Sequence, residues 1–273
     1  MLVSSTLPFS TDPSHLERAA EHFRACGYAV MSAALDVRDL SAEVDRAITH
    51  GCRAEFRFEG TGVAVSGRYL PMTSALTPVS VSLLVSGASA AAHVLGRPVV
   101  PFRAKGTVYD RRTDWHADTD LALPSVSVLL YLDPLDAHTG ALRVVPESHL
   151  PEWTGRSADL DARAVVLATR PADVILLNER TQHASEGGST RRQWRADYVA
   201  LPETPAELEL LRAYVAATFS PGWDGGYDVD HYPSFGSAML EALEPRARET
   251  LERCGAIAAA EREEAFVRAK RTQ

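Results

Sequence analysis

Cysteine is scarce in this sequence, and no cysteine pair has the spacing of a metal-binding motif. The three cysteines, Cys26, Cys52 and Cys254, are widely separated along 273 residues and are odd in number. We therefore expect neither a disulfide framework nor a structural zinc site, and we interpret all three as reduced thiols.

Long apolar runs and concentrated basic charge are also missing. No window offers the roughly eighteen apolar residues that a membrane span needs. The opening MLVSSTLPFSTDP lacks the basic start and apolar core of a signal peptide. The 28 lysines and arginines are scattered and are outnumbered by 36 acidic residues, which gives a net charge of −8. We therefore predict a cytoplasmic protein that binds neither membranes nor nucleic acid.

Helical signals dominate the first part of the chain. Asp12 as N-cap, Pro13 at the first helical position and Gly27 as a stop predict one helix, and the segment YAVM after it predicts a strand. Ser41 as cap and Gly51 as stop predict a second helix.

The sequence pattern changes from helical to strand-like at about residue 99. Short apolar runs such as SVSVLLYL, DVILLN and WRADYVAL are broken by Pro, Gly or Asp, a spacing typical of an antiparallel sandwich or barrel. The segment after Pro233 is rich in Ala, Glu, Arg and Leu and predicts helix again. We predict a single domain, mainly β, with a helical N-terminal flank at about 1–98, a β core at about 99–203 and a C-terminal loop and helical extension at about 204–273.

The segment DRRTDWHADTDL contains a candidate metal-binding pair, His116 and Asp118. The pair follows the strand-like GTVYD, and residues two apart in an extended chain share a face. His15 and Glu17 have the same spacing but lie in the first predicted helix, where such residues point roughly 200° apart. A hydrogen-bonded loop pair is the alternative interpretation of His116 and Asp118.

A third ligand has to come from another histidine. Position in the chain disfavours those in the early helical part, in the turn DAHTG and in the late Tyr/Pro/Gly-rich segment, namely His50, His93, His138 and His231. His149, which closes RVVPESH, and His183, which follows DVILLNERTQ, remain.

Three segments in order resemble the phytanoyl-CoA dioxygenase family of Fe(II)/2-oxoglutarate oxygenases: WHADTD, LLYLDPLDAHTGALRVVPESH and ADVILLNERTQHASEGGSTRRQWRADY. In that family an H-x-D pair opens the site, a PGSH-like sequence ends a strand, and a distal His precedes a strand that carries Arg. The similarity extends over about residues 18–200, with Glu147 in place of the Gly of PGSH. It implies a double-stranded β-helix (jelly-roll, cupin-like) core, the iron ligands His116, Asp118 and His183, and a structural turn at His149.

The resemblance also implies a chemistry. Two imidazoles and one carboxylate leave three positions on Fe(II), two for 2-oxoglutarate and one for O2. We expect hydroxylation or another oxidation of a small-molecule C–H bond, with release of succinate and CO2, in bacterial natural-product biosynthesis. Desaturation and epoxidation use the same ligands, and Asp118 disfavours a halogenase, whose carboxylate is replaced by Ala or Gly. A non-catalytic jelly-roll that binds a small molecule is the alternative from another class.

The far carboxylate of 2-oxoglutarate needs a bidentate cation, which favours arginine. The family places this arginine about ten residues after the distal histidine, where Arg191, Arg192 and Arg195 compete. We expect Arg195, because it enters the strand WRADYVAL, and we keep Arg192 in reserve.

Two features of the C-terminal part remain open from sequence. The segment 222–236 is either a cover over the active site or a surface loop. The Ala-rich C-terminal helix packs either on the barrel or on a second subunit, as in a homo-oligomer.

Overall fold

The strands form two facing antiparallel sheets in a computed structural model that describes residues 13–53, 55–60, 63–155, 159–219 and 226–270. The strands are β1 (Tyr28–Met31), β2 (Phe56–Gly60), β3 (Val63–Pro71), β4 (Val99–Tyr109), β5 (Thr113–His116), β6 (Ser125–Tyr131), β7 (Leu142–Val144), β8 (Val165–Leu167), β9 (Val174–Leu177), β10 (His183–Ser185) and β11 (Arg191–Ala200). The larger sheet has the order β1-β9-β6-β11-β4-β3-β2, and the smaller has the order β5-β10-β7-β8. The predicted mainly-β jelly-roll core is confirmed, with both sheets open rather than closed into a barrel.

The helices are α1 (Pro13–Cys26), α2 (Arg38–Gly51), α3 (Pro78–Ser86), α4 (Ala88–Leu95), α5 (Leu160–Arg163), α6 (Pro205–Thr218), α7 (Ser237–Ala242), α8 (Pro245–Arg253) and α9 (Ala256–Lys270). Helices α1 to α4 and α8 contact the larger sheet, whereas α5 lies beside the smaller one. A large apolar core lies between most of these helices and the larger sheet, and a smaller one lies between the two sheets.

Strand β11 shows how the two faces differ. Its side chains alternate between the sheet faces. Trp194 is fully buried on the helical side, where its indole Nε1 donates to Ser80 Oγ at 2.7 Å. Gln193 and Arg195 instead line a cavity between the sheets. The alternation of this strand therefore selects which residues reach the interior.

The first predicted helix is confirmed as α1, which begins at Pro13. Gly27 follows it with φ of 82°, a left-handed conformation that favours glycine. The predicted N-cap, Asp12, lies outside the described residues. The second helix begins earlier than predicted, at Arg38, so that Ser41 lies inside its first turn and is not the cap. Arg192 donates to the Ser41 hydroxyl at 3.1 Å, so this serine serves a tertiary contact.

The N-terminal flank is less helical than predicted. Strand β1 pairs with β9, and the hairpin of β2 and β3 pairs with β4, so this part of the chain extends the larger sheet at both edges. The strand predicted at YAVM is confirmed as β1, whereas the hairpin of β2 and β3 was not predicted from the sequence.

One stretch is longer and more apolar than we expected from the sequence. Residues 78–95, which include α3 and α4, have a mean hydropathy of 1.5 over 18 residues, enough by length and composition for a membrane span. In the fold, Leu83, Leu84 and Ala91 of this stretch are buried in the core against the larger sheet. Core helices of this kind meet the same criterion as membrane spans.

Candidate metal centre

Two neighbouring strands of the smaller sheet bring the predicted ligands together. His116 ends β5 and lies directly opposite His183, the first residue of β10, in the antiparallel register. Opposed residues of neighbouring strands have Cβ atoms roughly 5 Å apart. Asp118 lies just beyond β5, where its backbone N–H donates to the Glu179 carbonyl at 2.8 Å. The three side chains therefore converge because of strand register and one loop anchor.

The geometry of the cluster suits one cation. One ligand atom from each of His116, Asp118 and His183 lies within 4.8 Å of the other two. No second group of three such side chains comes this close in the part of the chain that the structure describes. His116 Nδ1 lies 2.8 Å from the Asp114 carbonyl, and His183 Nδ1 lies 2.9 Å from the Thr181 carbonyl.

Those two hydrogen bonds fix the tautomers of the histidines. A carbonyl oxygen only accepts, so each Nδ1 carries the proton and donates it, and each Nε2 keeps a free lone pair. The Nε2 atoms point towards Asp118, at 4.0 Å from His116 and 3.7 Å from His183. Both imidazoles thus present the atom that ligates a metal.

Electrostatics keep the cluster in its ligating form. Burial, together with the neighbouring His116, lowers the pKa of the His183 imidazole to about 4. Burial raises the pKa of Asp118, but the Arg195 guanidinium and the two imidazoles outweigh this and hold it far below its usual range. At neutral pH, Asp118 is therefore ionised and His183 is neutral.

Arg195, the residue expected to bind 2-oxoglutarate, contacts Asp118 and two other carboxylates. Its Nη1 lies 3.0 Å from Asp118 Oδ2, its Nη2 lies 3.0 Å from Glu179 Oε1, and its Nε lies 2.5 Å from Asp197 Oδ1. Ser127 Oγ also accepts from Nη2 at 2.7 Å. Three carboxylates therefore already occupy this guanidinium.

A cavity of about 400 Å³ adjoins the cluster and lies between the two sheets. The side chains of His116, Asp118 and His183 form part of its wall. This volume is within the range of small-molecule sites, roughly 300–1,000 Å³. The candidate ligands therefore face a space that holds a small molecule.

Arg191 is buried in the wall of the same cavity and has no carboxylate partner among the described residues. Its Nη2 donates to the Arg111 carbonyl at 2.6 Å and its Nη1 to the Ser189 carbonyl at 3.2 Å. Its guanidinium carbon lies 5.8 Å from the centre of the Tyr109 ring. Gly140, with φ of 92°, leaves it room, because a Cβ there would lie 2.8 Å from Arg191 Nη1. These contacts orient the guanidinium, and among the described residues they provide no carboxylate at ion-pair distance.

Arg192, the reserve residue, is not brought to the cavity. Its side chain lies on the opposite face of the larger sheet, with Nη2 at 2.7 Å from Asp133 Oδ1 and Nη1 at 2.7 Å from Asp45 Oδ2. His149 is also distant from the cluster, since its Nε2 lies 3.2 Å from the Arg24 carbonyl. Arg192 and His149 therefore make contacts within the fold, away from the candidate metal ligands.

The family profile of phytanoyl-CoA dioxygenase (PhyH) matches residues 23–196, which are more than half of the chain. The chain belongs to the phytanoyl-CoA dioxygenase family. A search of curated proteins finds no significant match.

Three solved structures have a similar fold. SnoN, an epimerase from nogalamycin biosynthesis crystallised with Fe3+, alpha ketoglutarate and nogalamycin RO, is 21% identical over 70% of this chain and 85% of its own, with a TM-score of 0.56. AviO1 from Streptomyces viridochromogenes Tue57 is 25% identical over 74% and 99%, with a TM-score of 0.58. SnoK, an alpha ketoglutarate dependent carbocyclase from nogalamycin biosynthesis, is 19% identical over 72% and 88%, with a TM-score of 0.54.

In this member of the PhyH family, residues beyond the matched range complete the cavity. Phe219 after α6, Tyr227 and Ser234 in the following segment, and Glu263 on α9 all line it. The described part of segment 222–236 is therefore a wall of the cavity. Helix α9 buries Ala256, Ala259 and Ala260 in the core of its own chain. A homo-oligomer formed through this helix stays a prediction.

Two of these wall residues, Phe219 and Glu263, were not predicted from the sequence. Glu263 lies in the segment AAAEREEAF, where three glutamates and one arginine resemble a solvated helix face. The side chain is nonetheless 8% exposed. Only the packing of α9 against α6 and α8 directs it inward.

Burial of Glu263 predicts a pH-dependent stability. Burial raises the pKa of its carboxyl group from 4.5 to about 7, despite nearby Arg103. Between these values the unfolded chain releases a proton that the folded chain keeps, so the wild type loses stability as the pH rises. A Glu263→Gln variant does not lose stability in this way. Its free energy of unfolding, relative to that of the wild type, should therefore rise by up to about 3 kcal/mol between pH 5 and pH 8.

Urea unfolding of both proteins at pH 5 and pH 8 measures this gain. Glu261→Gln, on the exposed face of the same helix, is the matched control and should show the same difference at both pH values. A stability difference for Glu263→Gln that does not change with pH would refute the burial argument.

Proposed function

We propose that this chain is an Fe(II)- and 2-oxoglutarate-dependent oxygenase that oxidises a C–H bond of a small molecule in natural-product biosynthesis. The observation that carries the proposal is the convergence of His116, Asp118 and His183 on one point beside a cavity of about 400 Å³. Membership of the PhyH family and the biosynthetic roles printed for the similar structures support it.

The donor set fits a non-haem iron. Two imidazole Nε2 atoms and one carboxylate form the two-histidine, one-carboxylate set that iron(II) oxygenases use, with positions left open on one side. The Nδ1 hydrogen bonds to the Asp114 and Thr181 carbonyls orient the rings before any metal binds. In its bound state, iron would supply activation of O2 coupled to the decarboxylation of 2-oxoglutarate.

The residues around the site have separate tasks in this proposal. Arg195, held by Glu179 and Asp197, fixes the orientation of the Asp118 carboxylate. The apolar side chains of Leu129, Leu142 and Leu177 line the cavity and limit the access of water. Together they keep the ligands in place and keep the reaction site dry.

We propose further that Arg191, and not Arg195, binds the far carboxylate of 2-oxoglutarate. Burial lowers the pKa of Arg191, and Asp110, which forms no ion pair with it, offsets this only in part. A dicarboxylate cosubstrate would supply the missing anion, and a planar guanidinium binds a carboxylate through two parallel hydrogen bonds. Arg195 has no such need, because Asp118, Glu179 and Asp197 already surround it.

The type of oxidation is the finer part of the proposal. Hydroxylation is our expectation, yet one similar structure is named an epimerase and another a carbocyclase. These reactions differ in the step that comes after hydrogen removal, and the candidate ligands are compatible with each. Halogenation is disfavoured, because Asp118 fills the position that chloride would need.

Succinate release with candidate substrates tests the proposal. The purified protein with Fe(II), 2-oxoglutarate and O2 is expected to release succinate faster when its substrate is present. The product mass identifies the reaction: hydroxylation adds one oxygen atom, ring closure or desaturation removes two hydrogens, and epimerisation leaves the mass unchanged. Binding of a small molecule with no succinate formed would instead support the non-catalytic jelly-roll.

We also propose that residues 1–273 act as one oxygenase domain in the cytoplasm, with the part after residue 203 completing the cavity. The support is that the described residues of this part, including Tyr227 and Glu263, share a wall with the β core.

A further inference from the structure

The cavity extends from Arg191 to a second region built largely by the C-terminal part of the chain. Arg191 pairs with Tyr109 across β4 and β11, whereas Arg195 pairs with Lys105 four residues along the same strands. Four residues of strand span roughly 13 Å. Tyr69 lies on β3 opposite Thr107 of β4, one strand farther from β11, and Glu263 lies near Arg103, two residues beyond Lys105. We therefore distinguish this region from the one that we assign to 2-oxoglutarate.

Most charged groups of the second region neutralise one another. Arg103 is paired with Asp197, its Nη2 lying 2.6 Å from the carboxylate Oδ2. Arg195 is paired with Asp118 at 3.0 Å. Lys105 is the one lining cation there, within the described residues, without a carboxylate at ion-pair distance.

The Glu263 carboxyl group also lacks a hydrogen-bond donor among the described residues, and the charged groups that act on its pKa are Arg103 and Glu264. The Lys105 ammonium likewise has no hydrogen-bond partner among them. Buried polar groups without partners are costly, and a ligand that supplies the missing partners offsets this cost.

We propose that Lys105 and Glu263 form the substrate-recognition subsite, which binds an uncharged, polyhydroxylated ring such as a glycosyl group. One hydroxyl of the ring donates to the Glu263 carboxyl group, and another accepts from the Lys105 ammonium. This inference rests on the proposed function, since it names the substrate class for that active site.

The charge and shape of the subsite support an uncharged ring. Because Arg103 and Arg195 are already paired, Lys105 and Glu263 remain as one basic and one acidic group. A charged ligand would be repelled by one of these two groups, whichever sign its charge has. Burial lowers the pKa of Lys105 to about 7 and raises that of Glu263 to about 7, so neither holds a full charge at neutral pH.

Two aromatic rings complete the subsite. Tyr69 and Tyr227 line it with ring centroids 5.4 Å apart and planes inclined by 60°. Aromatic faces pack against the C–H faces of sugar rings, while hydroxyls at the ring edge reach polar groups. The subsite therefore offers an aromatic face together with one donor and one acceptor.

Ligand binding in the absence of O2 tests the inference without requiring turnover. Saturation-transfer NMR would compare methyl glucopyranoside, glucosamine and glucuronic acid with the Fe(II)- and 2-oxoglutarate-loaded protein. The uncharged glycoside is expected to bind best. Glu263→Gln and Lys105→Met should each weaken its binding about tenfold, the effect of one lost hydrogen bond to an ionisable group.

The controls separate this inference from the proposed function. Glu261→Gln, exposed on the same helix, should bind the glycoside as wild type does. All variants should keep the visible absorption band of the iron and 2-oxoglutarate complex, so a lost band would count against the proposed function. An intact band with no glycoside binding, with preferred binding of either charged sugar, or with unchanged binding in both subsite variants would overturn the recognition subsite.

Discussion

An Asp118→Ala variant is expected to lose substrate oxidation completely and to bind Fe(II) far more weakly than wild type. Asp118 is the one carboxylate of the three candidate ligands, and its removal leaves two neutral imidazoles to hold a dication. Loss of an outer-shell partner alone costs roughly 10- to 100-fold in metal affinity, so loss of a ligand should exceed this. Iron titration and succinate release measure the two effects.

The fold should survive this substitution. Arg195 keeps Glu179 and Asp197 as partners when Asp118 is absent. Asp120→Ala, an exposed acid two residues along the same loop, is the matched control and should retain activity. Full activity of a folded Asp118→Ala variant would eliminate the proposed iron site.

An Arg191→Gln variant is expected to bind 2-oxoglutarate about 100-fold more weakly and to keep its affinity for iron. The substitution removes a charge-assisted carboxylate contact, which contributes about 3 kcal/mol when it is buried. The same change in the neighbouring residue, Arg192→Gln, should leave 2-oxoglutarate affinity unchanged, because that side chain faces Asp133 and Asp45 outside the cavity.

Replacement of Arg195 is expected to affect stability, in contrast to replacement of Arg191. Its loss leaves the buried Glu179 without a cation at ion-pair distance among the described residues and leaves Asp197 with Arg103 alone, so Arg195→Gln should reduce the free energy of unfolding by about 3–5 kcal/mol. If a folded Arg195 variant loses 2-oxoglutarate affinity while Arg191→Gln retains it, the expectation from sequence is right and the reassignment is wrong.

The triad was predictable because its signal is local in sequence and in structure. His116 and Asp118 follow a strand, and His183 begins another, so pairing of β5 with β10 is enough to join them. Ordered motifs along the chain then distinguished His183 from His149, a choice that position alone left open.

The arginine could not be assigned in the same way. Arg191, Arg192 and Arg195 are close in sequence, and alternation along β11 excludes only Arg192 from the cavity. The choice between the other two depends on which one already has carboxylate partners. Asp197 lies two residues from Arg195 on β11 itself, whereas Asp118 and Glu179 come from other parts of the chain and reach Arg195 only through the tertiary structure.

The hairpin of β2 and β3 and the C-terminal wall were missed for related reasons. The segment VAVSGRYLP of β3 contains Gly67 and ends in Pro71, which are residues that argue against a strand, and its pairing with β2 and β4 depends on the tertiary structure. Glu263 is surrounded in sequence by charged residues of an ordinary surface helix. Helix packing, which one sequence does not reveal, places its carboxyl group beside Tyr69 and Tyr227.

Anaerobic titration of the protein with Fe(II) and 2-oxoglutarate, followed by visible absorption, tests the central claim most directly. The account predicts a weak charge-transfer band that requires both additions, saturates at one iron per chain, and is absent from Asp118→Ala. A wild-type protein that shows no such band, or an Asp118→Ala protein that shows it at full strength, would contradict the account.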